Sequence, residues 1–135
     1  MEPNAVSKRV VEFYQLATTK PLLNIPDTTA FQFDFAWVCD HLPHRPPFLF
    51  IDGVQAIQNG ILCARFDVDK RPDHFVGHFP RVPRWPGVIQ IEAMAQAALM
   101  LYLFSSRETR SEVALTFVRE ARFRRAVLPG QAVQL

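Results

Sequence analysis

The sequence predicts an α+β fold, with a curved antiparallel β-sheet wrapped around one long, apolar, central helix. Three observations point there. Within residues 88–104 only Gln90, Glu92 and Gln96 carry strongly polar side chains, and a helix apolar nearly all round has to be buried on most sides. Upstream, two β-rich runs at 48–57 and 61–68 flank Gln58-Asn59-Gly60, a turn sequence suited to a hairpin. Downstream, 112–118 and 121–127 read as further strands. Sheet before and after the helix supplies the cover its surface needs.

The elements follow in order along the chain. Val6, Val10, Val11, Phe13, Tyr14 and Ala17 have helical spacing, with Lys8, Arg9 and Glu12 between them. Lys20-Pro21 and Ile25-Pro26-Asp27 break that pattern. Phe31, Phe33 and Phe35 then alternate with Gln32, Asp34 and Ala36, as a short half-buried strand or extended arm would. Residues 1–39 are therefore expected to be an accessory segment packed onto a main domain of residues 40–135. In that domain Lys70-Arg71-Pro72-Asp73 ends the hairpin, and a Gly/Pro-rich loop at 77–87 leads into the helix. Pro86 suits the first turn, where its missing N–H costs nothing. Ser105-Ser106-Arg107 marks the helix exit, Leu128-Pro129-Gly130 is a turn, and 131–135 begins another strand. A sheet able to cover so long a helix wants more strands than these. The last ones are expected to be missing, or to come from a second chain.

Composition sets the bounds. A chain of 135 residues supports one domain. Hydrophobic residues at 49% and charged residues at 21% fit a globular protein, and a net charge of +2 does not argue for nucleic acid. Cys39 and Cys63 lie in apolar surroundings without a partner motif. They read as reduced core thiols, which points to a reducing, cytoplasmic setting. No signal peptide is expected, because residues 1–20 lack an uninterrupted apolar stretch. The 88–104 run falls short of the roughly 20 residues that span a bilayer and carries Glu92 near one end, so a core helix is expected.

The stretch from Gly77 to Gln96 carries the chemistry. His78 sits in the Gly/Pro-rich loop, and Glu92 lies near the start of the apolar helix. Burial there should raise the carboxyl pKa and suit it to acid work beside a histidine base. His74 and His78 lack a third ligand and a helical setting, so no metal site is expected.

Four ordered segments also resemble the FabZ-type β-hydroxyacyl-[acyl carrier protein] dehydratases. They are Leu42-Pro43-His44-Arg45-Pro46-Pro47-Phe48-Leu49-Phe50-Ile51-Asp52, Gly77-His78-Phe79-Pro80, Pro86-Gly87-Val88-Ile89-Gln90-Ile91-Glu92-Ala93-Met94-Ala95-Gln96, and Ala121-Arg122-Phe123-Arg124-Arg125-Ala126-Val127-Leu128-Pro129-Gly130. The resemblance covers about residues 41–135. It implies a hotdog fold and dehydration of a 3-hydroxyacyl thioester, carried on acyl carrier protein, to the trans-2-enoyl thioester. It also implies His78 and Glu92 as the catalytic pair, shared between the subunits of a homodimer or heterodimer, or of a higher oligomer. No cofactor is implied beyond the carrier's phosphopantetheine. Glutamate at 92, where the isomerising FabA type has aspartate, favours plain dehydration. In such a reaction His78 would take the α-proton and Glu92 would protonate the leaving hydroxyl. N–H groups at the helix start, chiefly Gly87 with Val88, would hold the thioester oxygen.

The chain departs from that pattern at several places. Arg81 stands where glycine is usual, which would cost of order 1–2 kcal/mol if the position requires φ > 0. Trp85 replaces methionine, and its indole either shapes the acyl tunnel or packs in the core. Pro47 replaces an aromatic residue, and the last strands are expected to be missing from this stretch of chain. Gln96 either orients Glu92 or satisfies itself in the core. His44-Arg45 reads as structural. Arg119, Arg122, Arg124 and Arg125 are the wet face of a strand or a dock for the acidic carrier, with Arg81 and Arg84 as further docking candidates. Two other readings compete. One is a catalytically silent hotdog subunit that binds carrier or completes a dimer. The other is a hotdog thioesterase, against which His78 argues.

Overall fold

The computed structural model describes residues 12, 15, 16, 19–109 and 111–135. The helix expected at 6–17 falls almost wholly outside the described residues. Helix α1, Phe35–His41, stands where the phenylalanine alternation predicts an arm or strand. Asp34 caps it, its Oδ1 accepting from Trp37 N–H at 3.0 Å, the side-chain chemistry that helix starts prefer. Phe33, Trp37 and His41 then stack one turn apart, with ring centroids 4.2 and 3.8 Å apart. Phe33 alone pairs as expected, in a single antiparallel bridge to Val54. Helix α1 also runs across residue 40, where the sequence reading starts the domain.

Strands β1, Gly53–Gln58, and β2, Ile61–Asp67, form the expected antiparallel hairpin. Its turn has Asn59 at φ 54° and Gly60 at φ 75°, both left-handed, as a two-residue hairpin turn requires. Strand β1 begins later than expected. Residues 48–52 lie outside it, although Asp52 N–H still reaches Arg65 O at 2.9 Å. A bulge at Gln55 turns this side chain inward, where it is 4% exposed. Its Nε2 donates to the carbonyls of Asp27 at 3.2 Å and Thr29 at 2.8 Å, and its Oε1 accepts from Gln134 Nε2 at 2.8 Å. One amide thus fastens the arm before α1 to the sheet. Strand β3, Ala132–Gln134, pairs antiparallel with the far side of β2.

The strands expected at 112–118 and 121–127 do not form. A strand needs a neighbour to take its backbone hydrogen bonds, and the described sheet ends at β3. Val113, Leu115 and Phe117 keep a two-residue alternation but stand 59, 52 and 74% exposed.

A 3₁₀ turn, Val68–Lys70, and a short helix α2, Asp73–Val76, lead to the loop before helix α3, Gly87–Ser106. Helix α3 matches the expected central helix and ends with Arg107 in the left-handed region. It buries Ala93, Gln96, Ala97, Leu99, Met100 and Leu103, the last four packing with Leu42, Leu49, Ile51, Val54 and Ala64. The opposite face stays open in the single chain, with Val88, Met94 and Tyr102 each more than half exposed. By length and composition the 20 residues of α3 suffice to cross a membrane, which corrects the shorter span expected from sequence. Its buried flank and its side-chain bonds to residues 48–50 make it a core helix.

A buried ion pair closes the sheet end. Asp52 is 5% exposed. Its Oδ1 meets Arg71 at 2.9 Å and its Oδ2 accepts from Asp67 N–H at 2.7 Å. Arg71 also donates to Leu49 O and Asp67 O. Asp52→Ala leaves that guanidinium buried and uncompensated, so we expect a loss of about 3–5 kcal/mol in urea unfolding. A loss below about 1 kcal/mol would mean that the pair is solvated.

Both thiols are free, Cys63 buried and Cys39 part-exposed. Burial pushes the Cys63 thiol up, and the thiolate is the reactive species. An aromatic disulfide reagent at pH 8 should therefore modify Cys39 first and reach Cys63 only on unfolding. Equal labelling rates in the native protein would contradict this packing.

Candidate active site

The loop after α2 holds His78 between two reciprocal hydrogen bonds. Arg84 N–H donates to His78 O at 2.8 Å, and His78 Nδ1 meets Arg84 O at 2.9 Å. A carbonyl only accepts, so Nδ1 carries the proton and Nε2 keeps a free lone pair. The ring also stacks on Phe79, with centroids 4.3 Å apart. His78 lines a cavity of about 300 Å³ whose walls include Arg84, Gly87, Gln90, Phe123, Arg124 and Arg125.

The start of α3 opens onto this cavity. Ile89 and Gln90 donate to Pro86 O, and no side chain caps the helix. The first-turn donors left over are the N–H groups of Gly87 and Val88. At Gly87 the crowding comes from a half-exposed neighbouring side chain rather than from backbone angle. A Cβ there would stand 2.9 Å from the Phe123 ring, which lies against the helix start.

Glu92 belongs to a different cavity, of about 540 Å³, lined also by His44, Ala95, Ala98, Leu99, Tyr102 and Leu115. Its Oε1 accepts from Gln96 Nε2 at 2.9 Å, and His44 Nε2 approaches the same oxygen at 3.6 Å. With its side chain 24% exposed, Glu92 is not the fully buried carboxyl expected from an apolar run. Gln96 makes the contacts that both of its expected roles call for. It is 1% exposed, and besides holding Glu92 it accepts from Phe50 N–H at 2.9 Å and donates to Phe48 O at 3.0 Å. His44 is the residue that sequence reasoning read as structural only. Its contact with Glu92 is tertiary, and no spacing signals it.

One chain does not bring His78 and Glu92 together. At about 100° per residue, Gln90 and Glu92 point to nearly opposite faces of α3. Gln90 faces the His78 cavity and Glu92 the other.

The remaining candidates separate. Arg84, Arg124 and Arg125 ring the His78 cavity. Arg81 is not among its lining residues, and Arg122 pairs with Glu120 at 2.6 Å. Arg81 is not strained either: among the described residues only Asn59 and Arg107 are non-glycine positions with positive φ. Trp85 is a core side chain, 3% exposed, packed with Phe50, Phe66 and Phe75. Besides packing in the core, it also lines the His78 cavity. Among the described residues no three His, Cys, Asp or Glu side chains cluster as metal ligands.

Comparison with known proteins fits this arrangement. The FabA-like domain family matches residues 42–135. The 3-hydroxyacyl-[acyl-carrier-protein] dehydratase FabZ of Dechloromonas aromatica (strain RCB) is 41% identical over 106 residues, 76% of this chain and 74% of that protein. The FabZ dehydratase of Rickettsia massiliae (strain Mtu5) is 39% identical over 104 residues, 76% of this chain and 72% of that protein. An antiparallel sheet packed on a long apolar helix, the matched segments carrying His78 and Glu92, and these relatives together show that the chain belongs to the FabA-like family of hotdog-fold proteins.

Proposed function

We propose that this chain dehydrates a 3-hydroxyacyl thioester carried on acyl carrier protein to the trans-2-enoyl thioester, as a hydro-lyase of fatty-acid synthesis. The observation that carries the reading is a tautomer-fixed histidine beside an uncapped helix start. His78 Nε2 takes the proton from C2. The C2–H electron pair becomes the C2–C3 π bond, and the C3–O bond breaks as Glu92 protonates the departing hydroxyl. Water leaves, and the proton on His78 returns to Glu92 through solvent. The N–H groups of Gly87 and Val88 hold the thioester oxygen as negative charge builds on it. No step needs a cofactor, because phosphopantetheine is part of the substrate. Arg84, Arg124 and Arg125 fit docking of an acidic carrier at the mouth of the His78 cavity. Two free thiols suit a reducing, cytoplasmic compartment.

The complete site on this reading takes His78 from one chain and Glu92 from a second copy. Two observations support it: the pair lines separate cavities, and the open face of α3 carries Val88, Met94 and Tyr102.

His78→Ala and Glu92→Gln should each lower kcat by about 10²–10⁴-fold with an unchanged melting temperature. Wild-type turnover by either would overturn the acid–base assignment. Mixing the two inactive variants with subunit exchange should recover about a quarter of wild-type activity, since half the dimers are mixed and each holds one intact site. No recovery after verified exchange would place the whole site within one chain.

A further inference from the structure

We infer that His44 is a positioning residue for Glu92, fixing one carboxylate oxygen so that the other faces the substrate; the inference rests on the dehydration proposed above. Gln96 Nε2 and His44 Nε2 both address Oε1, at 2.9 and 3.6 Å. Oε2 receives no hydrogen bond among the described residues and is left for chemistry. Gln96 donates to Oε1 and His44 stands beside it, so Oε1 is the oxygen that is held and Oε2 the one placed to give a proton to the leaving hydroxyl.

The imidazole is built to donate. Its Nδ1 is buried without a partner, while Nε2 points at an oxygen that only accepts, so the ring proton belongs on Nε2. The backbone that carries it is pinned: Arg45 donates to Leu42 O at 2.8 Å and to His44 O at 2.6 Å. At 3.6 Å the contact is longer than a hydrogen bond. Such contacts in unliganded sites commonly shorten once substrate is bound. Gln96 alone leaves the carboxylate free to swing about a single bond, and His44 supplies the second point of attachment. A reacting group has to be held to within about 0.5 Å for full effect.

The test is steady-state turnover of a 3-hydroxyacyl carrier thioester by the full chain, with melting curves for every variant. His44→Phe should lower kcat by about 10–100-fold and leave KM within about twofold. His44→Gln, whose amide nitrogen reaches the Nε2 position, should recover to within about fivefold of wild type. The double variant His44→Phe/Glu92→Gln should be no slower than Glu92→Gln, because His44 acts through that carboxylate. If His44→Phe does not fold, His44→Asn replaces it, being too short to reach Oε1. Wild-type kcat in a folded Phe or Asn variant, no recovery by Gln, or additive losses in the double variant would each overturn the inference. Wild-type protein that releases no enoyl product would instead remove the dehydration reading, and this inference with it.

Discussion

A single buried amide orients the functional half of this molecule. Gln96 is bonded at both ends of its side chain, to the backbone of Phe48 and Phe50 and to the carboxylate of Glu92. Those bonds set the rotation of α3 about its own axis. Once position 96 faces residues 48–50, Glu92 is directed one turn back toward His44, and Gly87 and Gln90 are turned toward His78. The arrangement is enforced by cost. A buried amide that loses its partners forfeits roughly 1–3 kcal/mol for each unmet group, so small rotations of the helix are not tolerated. The hydrophobic contacts of α3 with Leu49 and Val54 give adhesion, and Gln96 gives register.

What could be read from sequence depended on how local the determining interactions are. Helix α3 was legible because its apolar run states its own burial, and the hairpin because Asn59-Gly60 states its own turn. Helix α1 was not, because Phe31, Phe33 and Phe35 give a two-residue alternation that competes with a weaker helical signal. That signal was Asp34 as a cap and the four-residue spacing of Phe33, Trp37 and His41. The segments at 112–127 carry strand-like alternation, but a strand exists only with a neighbour, and pairing is not a local property. The same limit applied in the site. His78, Gly87 and Glu92 were marked by their segments; His44 lay in one too, but its contact with Glu92 exists only when the chain folds back on α3.

The departures from the family pattern fall mainly outside the reacting groups. Trp85 packs among aromatic rings and also lines the His78 cavity. Arg81 sits in ordinary backbone geometry. Phe123 is different. Its ring lies against Gly87, over the surface where the first-turn N–H groups emerge, so the approach to those donors is shaped by one half-exposed side chain from a segment that has no strand partner. Access to the helix start therefore depends on how that segment is held.

The placement of His78 and Glu92 on opposite sides of α3 has a consequence for how the protein behaves at low abundance. If each working site draws its base from one copy and its acid from another, a dispersed chain is inert. Well below the dissociation constant of the pair, the rate rises with roughly the square of total protein and not in proportion to it. Dilution then acts as an off switch without any inhibitor, and the amount of chain made sets the activity of every molecule already present.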